Sequence, residues 1–349
     1  MTMPLTKPLV GVRAADLGNA GEVARIVAFL AATPESTPFH LPAWSLAVAK
    51  GAGQRSHYLI AERADGAIVG VLPLTEMRSP LFGAALVSTG FGVDGGVLGD
   101  AVDPLAAGAW DLAQHLGCPG VELRGGLAPA GWTTDDTSYL GFVRDLAADD
   151  EAELKANPRK QRAEVRRALG FDLDVAIGTS PAMLAEHYRV YAESVRNLGT
   201  PVFPAALFRA VAATMDADLL TVRHRGRAVA SVLSLYYAGT VYPYWGGGTH
   251  EARSLRANDR MYFALMAHAR ARGCTRFDFG RSKTDTGAAA FKKNWGFIGV
   301  PRTYATRSAG PLRAVNPLNP KYALMVRTWK RLPLPVANLV GPWISRGLG

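Results

Sequence analysis

Residues 66–74 read GAIVGVLPL, and residues 227–235, 161 positions later, read RAVASVLSL, with apolar residues at most of the same places. A second pair follows in the same order: GCPGVELRG at 117–125 and GCTRFDFGR at 273–281, which lie 156 positions apart. A single match of short apolar strings is readily a coincidence. Two matches at nearly the same offset indicate a duplicated unit.

The hydrophobic pattern of each half supports this duplication. Each half predicts two helices, three strands, a third helix and a strand, and later one more strand, at 139–146 in the first half and 297–304 in the second. Three consecutive strands without an intervening helix imply an antiparallel meander. We therefore predict an α/β (α+β) fold with two tandem domains, 1–150 and 151–308, each a mixed, largely antiparallel sheet flanked by helices. Residues 309–349 form a Pro-rich tail with basic and aromatic residues.

Charge is distributed unevenly along the 349 residues. Residues 1–150 carry 9 Lys or Arg against 16 Asp or Glu, whereas residues 151–349 carry 30 against 13. The second half therefore produces a positive field that attracts phosphates, nucleic acid or anionic lipid. Its first segment, EAELKANPRKQRAEVRRALG at 151–170, predicts a basic linker helix.

The cysteine and histidine content excludes several classes of site. Cys118 and Cys274 are the two cysteines, too few for a disulfide framework or a zinc cluster. The seven histidines form no HxxxH or HExxH pair, so we expect no metal. Residues 1–16 lack the apolar core of a signal peptide, and no apolar run reaches membrane-spanning length. These features predict a cytoplasmic protein, either soluble or peripheral to the inner membrane.

The stretch 277–297, FDFGRSKTDTGAAAFKKNWGF, has the pattern of a binding site. It predicts a strand, a polar loop and a short helix, with Arg281 and Lys283 just past the carboxyl end of the strand, where open sheets place ligands. Arginine and lysine there suit phosphate or carboxylate recognition, and solvated loop charges are the alternative.

Six segments together resemble the FemAB-like transferases, and most closely the FemAB-type proteins associated with PEP-CTERM and exosortase systems. They are FHLPAW at 39–44, PRKQRAEVRRA at 158–168, RNLGTPVFP at 196–204, ANDRMY at 257–262, and FDFGRSK with AFKKNWGF at 277–283 and 290–297. The resemblance covers most of the chain. It implies two GNAT-like domains and the transfer of an acyl group to an amine, as when an aminoacyl group moves from charged tRNA to a peptidoglycan precursor.

The resemblance assigns roles in AFKKNWGF. The Phe291-Lys292 pair is similar to a Phe-Lys motif whose lysine binds the donor and balances transition-state charge, so Lys292 is the first catalytic candidate. The alternative is that Lys292 and Lys293 simply solvate a helix end. Phe291 and Trp295 are candidate apolar contacts of the substrate.

Asp278 is a second catalytic candidate, because it is an acidic residue among cations and could orient or deprotonate the acceptor amine. Glu122 occupies the matching place in the first copy of the repeat, which favours a structural role instead.

The segment VYPYWGGGTHEARSLRAND at 241–259 joins a strand to a helix, and Pro243 within it predicts a bulge or a sheet edge. In GNAT enzymes a splayed strand here admits the acyl donor and the next helix start holds its pyrophosphate. By that likeness Arg253, Arg256 and Asn258 are donor-binding candidates, with an N-cap as the alternative for Asn258. The usual Gln/Arg-xxGxGx pattern is absent, which argues against coenzyme A. We expect the donor to be either aminoacyl-tRNA or acyl-CoA, neither bound as a tight cofactor.

Other candidates are less specific. Tyr244 and Trp245 either line a substrate groove or belong to the core. Arg196 either reaches the cleft or ends a surface helix.

In the linker, Arg159, Arg162 and Arg166 share a helix face that either binds an anion or is solvated. In the tail, Trp329, Lys330, Arg331 and Trp343 either touch a membrane surface or pack on the second domain.

The sequence therefore predicts an acyl- or aminoacyltransferase that forms an amide on an amine-bearing sugar or lipid-linked precursor of the cell envelope or of an exopolysaccharide. The alternative is a non-catalytic anion-binding or scaffold protein of the exopolysaccharide and exosortase machinery.

Overall fold

The computed structural model describes residues 10–310 and 320–349. Residues 1–9, part of the segment without a signal-peptide core, and residues 311–319 of the tail lie outside the described part of the chain.

The elements of the first part follow one another as the hydrophobic pattern predicts, with three additional strands. In chain order they are β1 (Val10–Ala14), α1 (Ala20–Ala31), α2 (Pro42–Ala52), β2 (Arg55–Arg63), β3 (Ile68–Ser79), β4 (Gly83–Ser88), β5 (Leu98–Gly99), α3 (Val102–His115), β6 (Gly120–Arg124), β7 (Thr133–Asp135) and β8 (Tyr139–Asp145). The additional strands are β1 in front and the short β5 and β7 further along.

The second part repeats this order after two linker helices. Its elements are α4 (Asp150–Ala156), α5 (Arg159–Leu169), β9 (Asp174–Gly178), α6 (Pro181–Leu198), α7 (Ala205–Thr214), β10 (Ala217–His224), β11 (Arg227–Tyr237), β12 (Thr240–Gly248), α8 (Ala257–Ala271), β13 (Arg276–Lys283), α9 (Gly287–Asn294), β14 (Gly299–Pro301), β15 (Tyr304–Ser308), α10 (Pro320–Trp329) and α11 (Leu334–Ser345).

Two sheets of matching strand order confirm the fold class. One runs β1-β2-β3-β4-β6-β15-β7, with β5 added beside β3, and the other runs β9-β10-β11-β12-β13-β8-β14. The repeated strings lie on β3 and β11, third in each sheet, and on β6 and β13, fifth in each. In both sheets the step from the fourth to the fifth strand is parallel and the other neighbours are antiparallel.

The sixth strand of each sheet comes from an unexpected part of the chain. The strand at 139–146 was placed in the first domain, but β8 pairs antiparallel with β13 of the second sheet. The single strand expected at 297–304 is two strands, β14 beside β8 and β15 beside β6 of the first sheet.

The chain accordingly forms two compact units whose limits differ from 1–150 and 151–308. Among the described residues, one unit holds 10–136, 303–310 and 349, and the other holds 137–302 and 320–348. Sequence pattern fixes which segments are strands but not which long-range partner each strand takes, and this is why those boundaries differ.

The core of the second unit includes the buried side of α8. Met261, Leu265 and Ala269 on α8 are buried, the helix packs on β10 and β11, and the same core includes the fully buried Phe277 of β13. Helix α9 begins where the Thr286 side chain accepts a hydrogen bond from the Ala289 amide, at 3.3 Å. Thr286 Oγ1 also donates to the carbonyl of Lys283 at 2.8 Å, which connects the start of α9 to the end of β13. In the described residues no helix has the length and apolar character needed to cross a bilayer.

Candidate active site

Strands β12 and β13 diverge soon after they meet. Their parallel pairing covers two residue pairs, Thr240 with Arg276 and Val241 with Phe277. Further along, β12 carries Pro243, and the register between β11 and β12 shifts between Leu233 and Ser234. This shift leaves Tyr244, the neighbour of Pro243, as the extra residue, which confirms the predicted bulge. A proline has no amide hydrogen for the ladder, and the pairing of β12 with β13 ends at Val241, two residues before it.

A second bulge interrupts β13. Its register against β8 shifts between Asp278 and Arg281, and Gly280 has a φ of 66°. This left-handed conformation is readily accessible to glycine. Asp278, only 9% exposed, accepts a 2.7 Å hydrogen bond from the Gly280 amide. The carboxylate therefore supports the bulge; its predicted catalytic role remains a prediction.

The bulge corrects the placement of Arg281 and Lys283. They do not follow the strand in a loop, because β13 resumes pairing with β8 after Gly280 and continues to Lys283. Both half-buried side chains lie over the Tyr139 ring, with Arg281 Cζ 4.3 Å and Lys283 Nζ 5.7 Å from its centroid. The structure thus places two cations together on one face of the strand.

Lys292 extends from α9 to this bulge. Its Nζ donates hydrogen bonds to the carbonyl of Gly280 at 3.2 Å and to that of Arg281 at 2.9 Å. Burial lowers the pKa of Lys292 to about 8, and the nearby Asp278 charge opposes part of that shift. The result is a half-buried ammonium group that loses its proton far more easily than an exposed lysine.

The opposite side of α9 borders a cavity of about 400 Å³, here called the α8 cavity. Three segments form it: α5, the loop between β12 and α8 with the first turn of α8, and α9. Three exposed cations line it, one from each segment: Lys160, Arg253 and Lys293. Lys293 therefore faces the cavity while Lys292 contacts the bulge, so the two adjacent lysines have different surroundings.

Arg256 takes the helix-start position that was considered for Asn258. It is the residue before α8, with a φ of 54°. Its guanidinium pairs with the Glu164 carboxylate and donates to the Arg253 carbonyl. The charge of Arg256 is thus balanced by Glu164, which leaves Arg253 as the more available cation of this loop.

Asn258 lies inside the first turn of α8 and lines the α8 cavity. Its Oδ1 is buried without a hydrogen-bond partner. The side chain packs on Gly248 so closely that a Cβ there would come within 2.7 Å of Oδ1. The glycine run at the end of β12 therefore lets the strand approach the start of the helix.

Asp259 is a candidate that the sequence analysis missed. It lines the α8 cavity, and its Oδ1 accepts a 2.6 Å hydrogen bond from Gln161 Nε2 of α5. Burial raises the pKa of Asp259, and the bond from Gln161 opposes that shift. Two signals were available: Gln161 is a glutamine in an otherwise basic helix, and Asp259 itself belongs to the family-like ANDRMY segment.

The aromatic candidates fall into two groups. Phe291 lines the α8 cavity, and its ring centroid lies 6.4 Å from that of Trp295. Trp295 itself is fully buried, and its Nε1 has no hydrogen-bond partner. Trp245 packs on Phe208 of α7, with ring centroids 4.5 Å apart, and Tyr244 lies 5.1 Å from Trp245. Trp245 is therefore a core residue.

The remaining arginine candidates lie on α6 and α5. Arg196 in the last turn of α6 donates to the Lys330 carbonyl at 3.2 Å, so it contacts the C-terminal segment. In α5, Arg162 donates to the carbonyls of Lys155 and Asn157, while Arg159 and Arg166 are exposed. Throughout 10–310 and 320–349, no three His, Cys, Asp or Glu side chains are grouped so as to hold a metal ion.

Part of the chain is similar in sequence to known transferases. A protein-family model described as an acetyltransferase (GNAT) domain matches residues 152–293. The lipid II:glycine glycyltransferase of Staphylococcus aureus (strain USA300) is 27% identical over 216 residues, which cover 58% of this chain and 48% of the relative. The chain thus spans about half the length of the curated relative it matches.

Two solved structures share the architecture. The crystal structure of FemX superimposes with a TM-score of 0.62 at 15% identity, covering 81% of this chain and 95% of that one. A tandem GNAT protein from the clavulanic acid biosynthesis pathway gives 0.56 at 14% identity, covering 87% and 99%. The chain therefore has a tandem GNAT-type fold, and the comparisons support its resemblance to the FemAB-like proteins.

Proposed function

We propose that this protein is an acyl- or aminoacyltransferase that forms an amide bond on an amine acceptor. The observation that carries the proposal is Lys292: a half-buried ammonium group with a pKa of about 8, fixed to the β13 bulge where β12 and β13 separate. A positive group in a partly dry site is what the developing oxyanion of acyl transfer requires.

The proposed reaction needs no redox step. A neutral amine attacks the carbonyl carbon of the donor ester or thioester, the new C–N bond forms, and the C–O or C–S bond breaks. The amine loses one proton and the leaving oxygen or sulfur gains one. Protonated Lys292 stabilises the negative charge on the carbonyl oxygen and, with its lowered pKa, is suited to supply the proton to the leaving group.

The α8 cavity supplies a place for the anionic part of the donor. Lys160, Arg253 and Lys293 contribute positive charge, and the start of α8 adds its backbone amides. We propose that the donor is aminoacyl-tRNA or acyl-CoA, whose phosphates suit such a site, and that it binds as a substrate rather than as a resident cofactor.

For the acceptor we propose an amine-bearing sugar or lipid-linked precursor of the cell envelope or of an exopolysaccharide, handled on the cytoplasmic side of the inner membrane. Support comes from the relative in Staphylococcus aureus, whose name gives lipid II as the molecule it modifies. The association with PEP-CTERM and exosortase systems is part of the same proposal and rests on the segments quoted above.

Substitution of Lys292 tests the catalytic proposal. Lys292→Met removes the ammonium group and is expected to lower the rate of label transfer from donor to envelope precursors about 100-fold or more. Lys293→Met should mainly raise the KM for the donor. Lys155→Met, at an exposed lysine of α4, is the matched control and should leave the transfer rate and the KM for the donor unchanged.

The competing assignment is a non-catalytic anion-binding protein of the envelope machinery. It is favoured by the two carbonyls that Lys292 binds, because a lysine can hold a bulge without taking part in chemistry. If Lys292→Met leaves transfer unchanged while Lys160, Arg253 and Lys293 still bind the polyanion, this second assignment replaces the first.

A further inference from the structure

Helix α11 has one face of small residues that fixes it to the second unit. Ala337, Gly341 and Ser345 recur every four residues and are buried. Ser345 Oγ donates to the carbonyl of Val202 at 2.8 Å, and a Cβ on Gly341 would come within 3.1 Å of the Val202 nitrogen. The helix is therefore seated closely on the segment between α6 and α7, and a larger side chain has no room on this face.

The opposite face of α11 is apolar and exposed. Val336, Leu339, Val340 and Trp343 follow the spacing i, i+3, i+4, i+7, which places them on one side of the helix. Their exposures are 43%, 81%, 37% and 54%. Because the small-residue face is fixed against Val202, the helix cannot rotate to bury this apolar stripe.

The C-terminal segment that contains the apolar stripe is rich in cationic residues. Residues 309–349 contain six Lys or Arg and no Asp or Glu. Arg327, Lys330 and Arg331 precede α11, Arg346 follows it, and all four are exposed. An exposed apolar stripe with exposed cations before and after it in the chain matches the chemistry of an anionic bilayer surface, where hydrocarbon lies beneath phosphate groups.

We propose that α11 docks its apolar stripe into the interface of an anionic lipid bilayer, with Arg327, Lys330, Arg331 and Arg346 on the lipid phosphates. The helix has 12 residues, so it would lie in the membrane surface rather than span it. Trp343 supplies the aromatic ring that such interfaces accommodate. A second copy of the chain is a poorer occupant, since it would bring the same cations face to face.

The structure separates the two tail tryptophans in this respect. Trp343 is more than half exposed, but Nε1 of Trp329 is buried, so Trp329 packs on the protein. The proposal is independent of the proposed transferase activity, and its test measures no activity.

Vesicle flotation of the full chain tests the docking. The wild type should float with phosphatidylcholine vesicles that contain phosphatidylglycerol, and much less with phosphatidylcholine alone. The double variant L339E/W343E should lose affinity about tenfold or more, because two apolar anchors are removed. Ile298→Glu, at an apolar residue 79% exposed after α9, is the matched control and should float like the wild type.

Several results would overturn the proposal. They are equal flotation of the wild type on both vesicle types, flotation of L339E/W343E equal to that of the wild type, and no flotation at all. Self-association in light scattering that L339E/W343E abolishes, without lipid binding, would assign the stripe to a second copy instead. Both substituted residues are exposed, and unchanged thermal unfolding of the double variant would show that the fold is retained.

Discussion

At the scale of single residues, the site depends on which side of α9 each lysine occupies. Lys292 binds two carbonyls of the β13 bulge, whereas Lys293 lines the α8 cavity. Consecutive residues on a helix point about 100° apart, so neighbours in sequence need not share surroundings. The structure thus gives the two lysines different surroundings: Lys292 contacts backbone carbonyls and Lys293 lines an open cavity.

The contact between Gln161 and Asp259 yields a stability prediction. Gln161→Leu removes the 2.6 Å hydrogen bond to a largely buried carboxyl, which should cost about 1–3 kcal/mol in the free energy of unfolding. It should also raise the pKa of Asp259 further, since that bond opposes the effect of burial.

Urea denaturation of a double-mutant cycle provides the check. In the Asp259→Asn background no carboxylate remains to be desolvated, so Gln161→Leu should cost clearly less there than in the wild type. Equal costs in the two backgrounds would mean that the hydrogen bond does not couple these side chains.

The residue scale also shows where sequence reasoning fails. Lys292 and Phe291 were identified because they stand in a family-like segment, and Arg253 because it lies in the loop before α8, which holds the donor in GNAT enzymes. The structure places Arg253 and Phe291 together at the α8 cavity. Asp259 was missed because its hydrogen-bond partner Gln161 lies 98 residues away in the sequence. Trp245 was undecided because an aromatic residue in a strand gives no indication of which sheet face it occupies.

At the scale of elements, the close approach of β12 to the start of α8 makes another prediction. A Cβ at Gly248 would lie 2.7 Å from Asn258 Oδ1 and 2.6 Å from the Ala252 Cβ. Gly248→Ala should therefore displace the loop that carries Arg253, destabilise the protein by about 1–3 kcal/mol and weaken donor binding.

A glycine without close neighbours supplies the comparison. A Cβ at Gly287, the first residue of α9, would meet nothing within 4 Å. Gly287→Ala should unfold at the wild-type temperature and bind the donor normally. If Gly248→Ala behaves in the same way, the packing of Asn258 on Gly248 has no role in shaping the site.

Elements were the level that sequence pattern predicted best. The apolar strings fall on equivalent strands of the two sheets, and the short helix expected within 277–297 is α9. The partners of β8 and β15 were not predictable in the same way, because alternation along a strand fixes its faces but not its neighbours. The bulge at Gly280 likewise depends on pairing with β8, which explains why Arg281 and Lys283 were expected in a loop.

At the scale of the whole molecule, each unit contains one fully buried, neutral histidine. Burial lowers the pKa of His40 to about 4 and that of His187 to about 3. In the unfolded chain an imidazole gains its proton near pH 6.5, while in the folded state it does so only near these lower values. As pH falls below about 6.5, the unfolded state therefore binds protons that the folded state does not, and stability decreases.

We expect the free energy of unfolding to fall by about 1.4 kcal/mol per pH unit for each of these histidines below about pH 6.5. His187→Asn keeps a short polar group beside Ser231 but removes the titrating ring, so its stability should depend less on pH. Urea titrations at neutral and mildly acidic pH measure the slope. An unchanged slope in His187→Asn would exclude this histidine as a source of acid sensitivity.

The central claim is that a protonated Lys292 carries acyl transfer, and the pH dependence of the transfer rate tests it most directly. The measurement is the ratio of the wild-type rate to that of Lys292→Arg, because acceptor ionisation cancels in the ratio and arginine keeps its proton. With a Lys292 pKa of about 8, the account predicts a constant ratio below that pH and a decline approaching tenfold per pH unit above it. A ratio that stays level from about pH 7 to about pH 9.5 would contradict a catalytic ammonium group at Lys292.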